Sequence, residues 1–401
     1  MKVLMVNKYN FIKGGSERYM FTVADGFKTL GHEVVYFSMK DDKNIHCEQE
    51  KYFINKRDMS GKFFEKIRLL SSLQYSKEAY KKLEKLIKDE KPDLAILNLI
   101  HKQLTLSIID VLKKYNIPIF WVMHDLITVC PSYTMIDGKG NICEECLHGD
   151  FSNCVKKKCC HNSKFVSYLS CREAKYIKKK NWYNMVDLYI CPSEFYKKKL
   201  EEAKFTDSKI VHIPNPLPID MNYSTNKNFE PYFLYYGRIS KEKGIENLII
   251  SMKNVDYQLK IVGNGPLLEE LKELIITNNL ENKIQFLGFK QGDELNELIK
   301  KARAVVIPSI WYENGPYSAI ETLSFGKPLI VSNKGGLPEL VHHGVNGYIF
   351  DNEEELIASL NRMISLDEKE YEDMCYQATR EANKHNCREY IENLLKYYKS
   401  I

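Results

Sequence analysis

Two glutamates, two cations and one imidazole carry the chemistry that can be read from this chain. Glu313 and Glu321 stand in Trp311-Tyr312-Glu313-Asn314-Gly315-Pro316-Tyr317-Ser318-Ala319-Ile320-Glu321. A small-residue turn separates the first acid from a helix expected to carry the second about two turns in. Backbone N–H groups at a helix start suit anionic or hydroxyl-rich ligands. The segment Gly237-Arg238-Ile239-Ser240-Lys241-Glu242-Lys243-Gly244 leaves a strand and opens a helix. Arg238 can fork to two phosphate oxygens, and Lys243 adds a point charge where the helix dipole already favours anions. His124 closes an apolar strand, where an imidazole could act as a proton donor or acceptor. Each feature has a plain alternative: a solvated acidic helix, a charged loop, a packed histidine.

Glycines mark further sites of close backbone approach. Asn7-Lys8-Tyr9-Asn10-Phe11-Ile12-Lys13-Gly14-Gly15-Ser16-Glu17 joins the first strand to the first helix. The Gly14-Gly15 pair admits a ligand near the backbone, and Ser16 is expected to cap the helix. The G-x-G-x-x-G dinucleotide fingerprint is not matched. Gly263-Asn264-Gly265-Pro266 and Lys334-Gly335-Gly336-Leu337-Pro338-Glu339 each follow another expected strand.

These residues need a framework, and the hydrophobic pattern supplies one. Short apolar runs at Val3–Asn7, Glu33–Ser38, Leu94–Asn98, Ile119–Met123 and Leu188–Cys191 read as buried parallel strands. Helices are expected at 16–30, 60–90, 103–114 and 193–203. Ile213-Pro214-Asn215-Pro216-Leu217-Pro218 interrupts the alternation, since three prolines exclude helix and disfavour a central strand. With the polar stretch 222–228 it reads as a linker. Strands then recur at 232–236, 257–262, 283–287, 304–308 and after Gly326, with helices between them. The last helices fall near 353–363, 367–383 and 387–399. This βαβ repetition predicts an α/β protein of two doubly wound, Rossmann-like domains facing across a cleft. Their expected bounds are 1–218 and 219–385, with helix 386–401 packing back on the first. In such sheets ligands bind at the carboxyl ends of the strands, where all five side chains fall.

Composition narrows the setting. No run of eighteen apolar residues suggests a membrane-spanning helix, and the N-terminus lacks a signal-peptide pattern, so a cytoplasmic location is expected. Residues 1–220 hold 37 Lys and Arg against 27 Asp and Glu, and the remainder 21 against 26. Runs at Lys156–Lys158, Lys178–Lys180 and Lys197–Lys199 are solvated faces or contacts for an anionic surface such as the inner face of a membrane. No nucleic-acid recognition motif accompanies them. Of 11 cysteines, seven fall between Cys130 and Cys171. Cys143, Cys146, Cys154 and either Cys159 or Cys160 could hold zinc; free thiols and disulfides remain open alternatives.

Taken jointly, the Gly14-Gly15 loop, His124, Gly237-Arg238 with Lys243, Glu313 and Glu321, Gly326-Lys327-Pro328 and Gly335-Gly336-Leu337-Pro338-Glu339 resemble family 4 of the glycosyltransferases. These are retaining nucleotide-sugar enzymes of the GT-B architecture, and the resemblance covers nearly the whole chain. It implies that Arg238 and Lys243 neutralise the departing diphosphate and that Glu321 holds the ribose hydroxyls. Glu313, with the backbone around Asn314, Gly315, Pro316 and Tyr317, would hold the donor sugar. Gly15 and Gly263 would approach the donor, and His124 the sugar or acceptor. No metal or other cofactor is implied for catalysis. The Asn314-Gly315-Pro316 turn replaces a more usual acidic Gly-Phe-Gly segment and is similar to enzymes of bacterial surface-polysaccharide assembly. The implied partners are a nucleotide-diphosphate sugar and a saccharide or lipid-linked saccharide, not nucleic acid. A sugar-nucleotide epimerase of the same fold and a basic, cysteine-rich nucleic-acid module are the rival readings.

Overall fold

The computed structural model describes residues 1–56, 74–221, 225 and 227–401. The chain divides into two compact units, Met1–Ile219 with Cys387–Ile401, and Asp220–Asn386. Each is built on a six-stranded parallel sheet.

In the first unit the strands are β1 (Lys2–Val6), β2 (Glu33–Phe37), β3 (Leu94–Leu97), β4 (Ile119–Val122), β5 (Leu188–Cys191) and β6 (Lys209–His212), ordered β2-β1-β3-β4-β5-β6. β3, β4 and β5 are buried along their whole length, as strands covered on both faces require. Helix Gly15–Thr29 carries a buried stripe of Tyr19, Met20, Val23, Ala24 and Phe27. The terminal helix Cys387–Lys399 packs on it, and the Tyr19 and Tyr390 hydroxyls meet at 2.6 Å. Part of the helix expected over 60–90 lies outside the described residues; the described part is Lys77–Glu90, capped by the Ser76 side chain.

The second sheet contains β7 (Tyr232–Tyr236), β8 (Gln258–Val262), β9 (Ile284–Gly288), β10 (Ala304–Ile307), β11 (Leu329–Ser332) and β12 (Gly347–Phe350), ordered β12-β11-β10-β7-β8-β9. Its core joins Phe233, Leu259, Ile261, Ala304, Val306 and Ile330 from the sheet to Leu248, Leu271, Leu360 and Met374 from the helices. The strand order reverses between β7 and β10, and in the first sheet between β1 and β3. Such switch points splay the following loops apart and open a crevice at the strands' carboxyl ends.

Three local expectations need correction. Gly14, not Ser16, is the cap residue of the first helix, because Gly14 is extended (φ −166°, ψ −162°) and the helix begins at Gly15. Glu321 lies one turn into its helix rather than two, since that helix starts at Tyr317 after the Pro316 cap. Helix Lys164–Lys180 and strands β6 and β12 lie in segments where none was expected.

Candidate active site

The loops leaving β7 and β10 meet at the switch point of the second sheet. The Glu313 side chain is buried and carries three donors on one oxygen. Lys243 Nζ donates to Oε1 at 2.6 Å, the Ser309 hydroxyl at 2.6 Å and Trp311 Nε1 at 2.8 Å. Burial alone would raise this carboxyl, but the Lys243 ammonium and the three hydrogen bonds hold it below the ordinary carboxylate range. Glu313 is therefore an anion at neutral pH, and it fixes where the Lys243 charge sits. The Lys243 ammonium also lies 5.0 Å from the centre of the Trp311 ring, which adds a cation–π attraction.

Backbone contacts lock these loops together. Ile310 N donates to Glu242 O at 3.0 Å, and Gly336 N to Glu313 O at 2.7 Å. The Ser332 hydroxyl donates to Ser309 O at 2.6 Å, tying in the end of β11. Two glycines make the approach possible. Gly244 takes φ +66°, and a Cβ there would lie 2.0 Å from Pro308 O. Gly263 takes φ +142°, and a Cβ there would lie 1.9 Å from Gly237 O. So Gly263 sets the seat of the Gly237-Arg238 loop, while its own backbone is buried and its N–H donates to Gly288 O at 2.8 Å. Arg238 projects from this seat with an exposed side chain, while its carbonyl accepts from Tyr235 Oη at 2.8 Å. The loop after β7 thus carries an exposed guanidinium and one member of a fixed ammonium–carboxylate pair.

Asn314, Gly315 and Pro316 link Glu313 to helix Tyr317–Ser324, and Gly315 takes φ +62°. Tyr317 is buried and Glu321 half-buried on that helix. Tyr236 anchors it from β7, donating to Ser318 O at 2.6 Å and meeting Thr322 Oγ1 at 3.1 Å. Ser309, Trp311 and Tyr236 were not singled out in the sequence. Trp311 and Ser309 lie within four residues of Glu313, the one signal that could have found them.

Gly15 and His124 belong to the first unit. There Asn98 organises the loops after β1, β3 and β4. Its Nδ2 donates to Val6 O at 3.2 Å, which turns Oδ1 toward His124 Nε2 at 2.8 Å. His124 Nε2 must then carry the proton, leaving Nδ1 as an acceptor. Burial, assisted by Lys8, lowers the imidazole to about 3, so His124 is neutral at physiological pH. The Tyr19 ring meets it edge-on at 5.0 Å. Asn7 ties the next loop in, donating to Glu17 Oε1 at 3.0 Å and accepting from Leu99 N at 3.1 Å.

The sequence and the fold have counterparts among known proteins. The family model for glycosyltransferase family 4 matches residues 13–220, just over half the chain, and that for glycosyl transferases group 1 matches 220–381. The chain belongs to glycosyltransferase family 4 and has the GT-B fold. Among its relatives, an uncharacterised glycosyltransferase of Methanocaldococcus jannaschii is 36% identical over 168 residues, 38% of this chain and 43% of that protein. The α-D-kanosaminyltransferase of Streptomyces kanamyceticus is 30% identical over 124 residues, 30% of this chain and 32% of that one. The chain thus spans less than half the length of the curated relatives it matches. Anabaena HepE in complex with UDP shares the fold over 100% of both chains, with TM-score 0.69 at 17% identity. Sucrose-phosphate synthase of Thermosynechococcus elongatus does so over 100% and 98%, with TM-score 0.72 at 17% identity.

Proposed function

We propose that this chain is a retaining glycosyltransferase that moves a sugar from a nucleotide diphosphate to a hydroxyl of a lipid-linked saccharide, in the assembly of a cell-surface polysaccharide. The observation that carries this reading is the Lys243–Glu313 pair, its carboxylate buried, with the exposed Arg238 on the same loop after β7 at the β7/β10 switch point. Transfer leaves a nucleoside diphosphate with growing negative charge, and preorganised cations aimed at that charge are the largest catalytic contribution such a site can make. Arg238 binds the diphosphate in fork geometry, and Lys243 meets it from the position that Glu313 dictates. Glu321 takes the ribose hydroxyls. The Glu313–Tyr317 loop receives the donor, and Gly263 serves it by seating the Gly237-Arg238 loop. His124, neutral with a free Nδ1 acceptor, serves the sugar or acceptor hydroxyl, and Gly15 offers its backbone N–H to the diphosphate. The acceptor oxygen attacks the anomeric carbon from the face the diphosphate leaves. Its proton passes to that leaving group, and because attack and departure share one face the configuration is retained. The UDP bound by HepE favours a uridine donor.

The lipid-linked acceptor draws support from helix Lys164–Lys180. Phe165, Tyr168, Arg172, Lys175 and Lys179 recur at three- and four-residue spacing along it and are all exposed. Aromatic side chains beside a basic stripe suit the headgroup region of an anionic membrane. Among the described residues no helix is long and apolar enough to cross a membrane. The test supplies UDP- and GDP-sugars with a lipid-linked saccharide acceptor and follows the product anomer by proton NMR. Transfer with the donor's anomeric configuration supports the reading. An inverted product contradicts retention, and an isomerised donor without acceptor assigns the site to epimerisation.

A further inference from the structure

Helix Gly15–Thr29 and the C-terminal helix Cys387–Lys399 meet along matched faces. Tyr19, Thr22 and Gly26 recur at three- and four-residue spacing and share one face of the first helix. Cys387, Tyr390, Ile391 and Leu394 do the same on the second, and all four are buried. Gly26 lets the two helices approach closely: a Cβ there would lie 2.6 Å from Cys387 Sγ and 3.3 Å from Ile391 Cγ1. The Cys387 thiol reaches Thr22 O at 3.7 Å. Close packing at this seat therefore places Tyr390 against the first helix.

Three aromatic rings follow one another from that seat. The Tyr390 and Tyr19 hydroxyls are 2.6 Å apart, and their rings stand edge to face at 79°, with centroids 5.9 Å apart. Tyr19 meets His124 in the same way, at 68° and 5.0 Å. Both tyrosines are buried, so neither ring can swing into water without opening the helix pair. From another direction Asn98 Oδ1 accepts from His124 Nε2 at 2.8 Å. One hydrogen bond fixes one ring atom and leaves the imidazole able to pivot about it. An edge-to-face contact removes that freedom, because it prefers a plane as well as a distance. Asn98 thus selects the protonated nitrogen, and Tyr19 sets the plane in which Nδ1 points. The far end of the Tyr19 ring is held in turn by Tyr390, 371 residues further along the chain.

We propose that Tyr390 is a positioning residue for His124: through the Tyr19 ring it fixes the plane of the imidazole and keeps Nε2 on Asn98. The C-terminal helix thereby helps aim the Nδ1 acceptor. The consequence for transfer rests on the role given to His124 above; the contact between the three rings does not. Phenylalanine at 390 keeps the ring and removes only the hydroxyl bond, so it separates positioning from packing.

The test records long-range proton–nitrogen NMR spectra of the full chain labelled at its 10 histidines, with the His124 signals identified by their loss in His124→Ala. Wild type should show one His124 tautomer, protonated at Nε2. Tyr390→Phe should shift His124 toward a mixture of tautomers. Tyr397→Phe, on the same helix but facing Lys209 at 4.8 Å, should leave the wild-type spectrum. In the transfer assay with UDP- and GDP-sugars and a lipid-linked saccharide, Tyr390→Phe should lower kcat/KM for the acceptor about three- to tenfold. Its calorimetric affinities for UDP and GDP should stay within about twofold of wild type. Unchanged His124 signals in Tyr390→Phe overturn the proposal, as does a wild-type His124 protonated at Nδ1. An equal effect of Tyr397→Phe also overturns it, since that marks a general loosening of the helix. Transfer by His124→Ala at the wild-type rate instead refutes the role of His124 in the reaction, and the spectra still decide whether Tyr390 orients the ring. Should Tyr390→Phe fail to fold, Tyr19→Phe removes the other hydroxyl of the same bond, keeps both rings and gives the same readout.

Discussion

Replacing Lys243 by Met tests whether Glu313 and Lys243 act as one buried unit. The Glu313 side chain is 6% exposed and that of Lys243 21%. Removing the ammonium leaves the carboxylate buried with only the Ser309 and Trp311 donors. Breaking a buried pair this way costs about 3–5 kcal/mol, and two surviving hydrogen bonds place the loss near the lower figure. Glu313→Gln keeps an oxygen for Ser309 and Trp311 and leaves Lys243 able to turn toward water, so about 1–2 kcal/mol is expected. In the double variant neither charge is stranded, and its loss should fall short of the summed singles by about 1.5–3 kcal/mol. Urea unfolding of the full chain at pH 7 by tryptophan fluorescence is the assay, since Trp311 is the one tryptophan of residues 220–386. Additivity within about 0.5 kcal/mol would refute the coupling. The pH dependence has a fixed sign. The Glu313 carboxyl is held below its ordinary value, so its stabilisation is present above that value and lost as pH falls through the lowered one. Lys243→Met should move that loss to higher pH.

Arg238→Ala should reduce sugar transfer at least tenfold and leave stability within about 0.5 kcal/mol, because the side chain is exposed; unchanged turnover would remove it from the site. Gly263→Ala should cost about 2–4 kcal/mol, read as a thermal-shift loss of about 5–15 °C together with weaker donor binding, since its Cβ would strike Gly237 O; an unshifted melting point would contradict the loop packing. Burial pushes Glu173 up to about 7 against an ordinary 4.5, so folding is favoured below 4.5 and that contribution is lost as pH rises to 7. Glu173→Gln should therefore be more stable than wild type at pH 8 by up to about 3 kcal/mol, and equal pH slopes in the two proteins would count against it.

Much of the sheet framework was legible because parallel strands buried on both faces leave continuous apolar runs, as in Leu94–Leu97 and Ala304–Ile307. Strand β6 was not, because Lys209 and His212 are exposed at its ends and only Val211 is buried. Helix Lys164–Lys180 hid for a related reason: its buried face is Ser167, Ser170, Cys171, Glu173 and Ile177, a polar and small-residue stripe with no apolar period. The candidate residues were visible as types, yet their partnerships were not. Lys243 and Glu313 lie 70 residues apart, and Asn98 and His124 lie 26 apart. Only the strand order, which sets β10 beside β7 and β4 beside β3, brings each pair together.

The central claim is that the loops after β7 and β10 take a nucleoside diphosphate through Arg238. Isothermal titration calorimetry of the full chain with UDP, GDP and their sugars, in wild-type and Arg238→Ala protein, tests it most directly. The account predicts saturable binding of at least one nucleotide by the wild type and an affinity at least tenfold weaker in the variant. Equal affinities in the two proteins, or no binding of any of these nucleotides by the wild type, would contradict it.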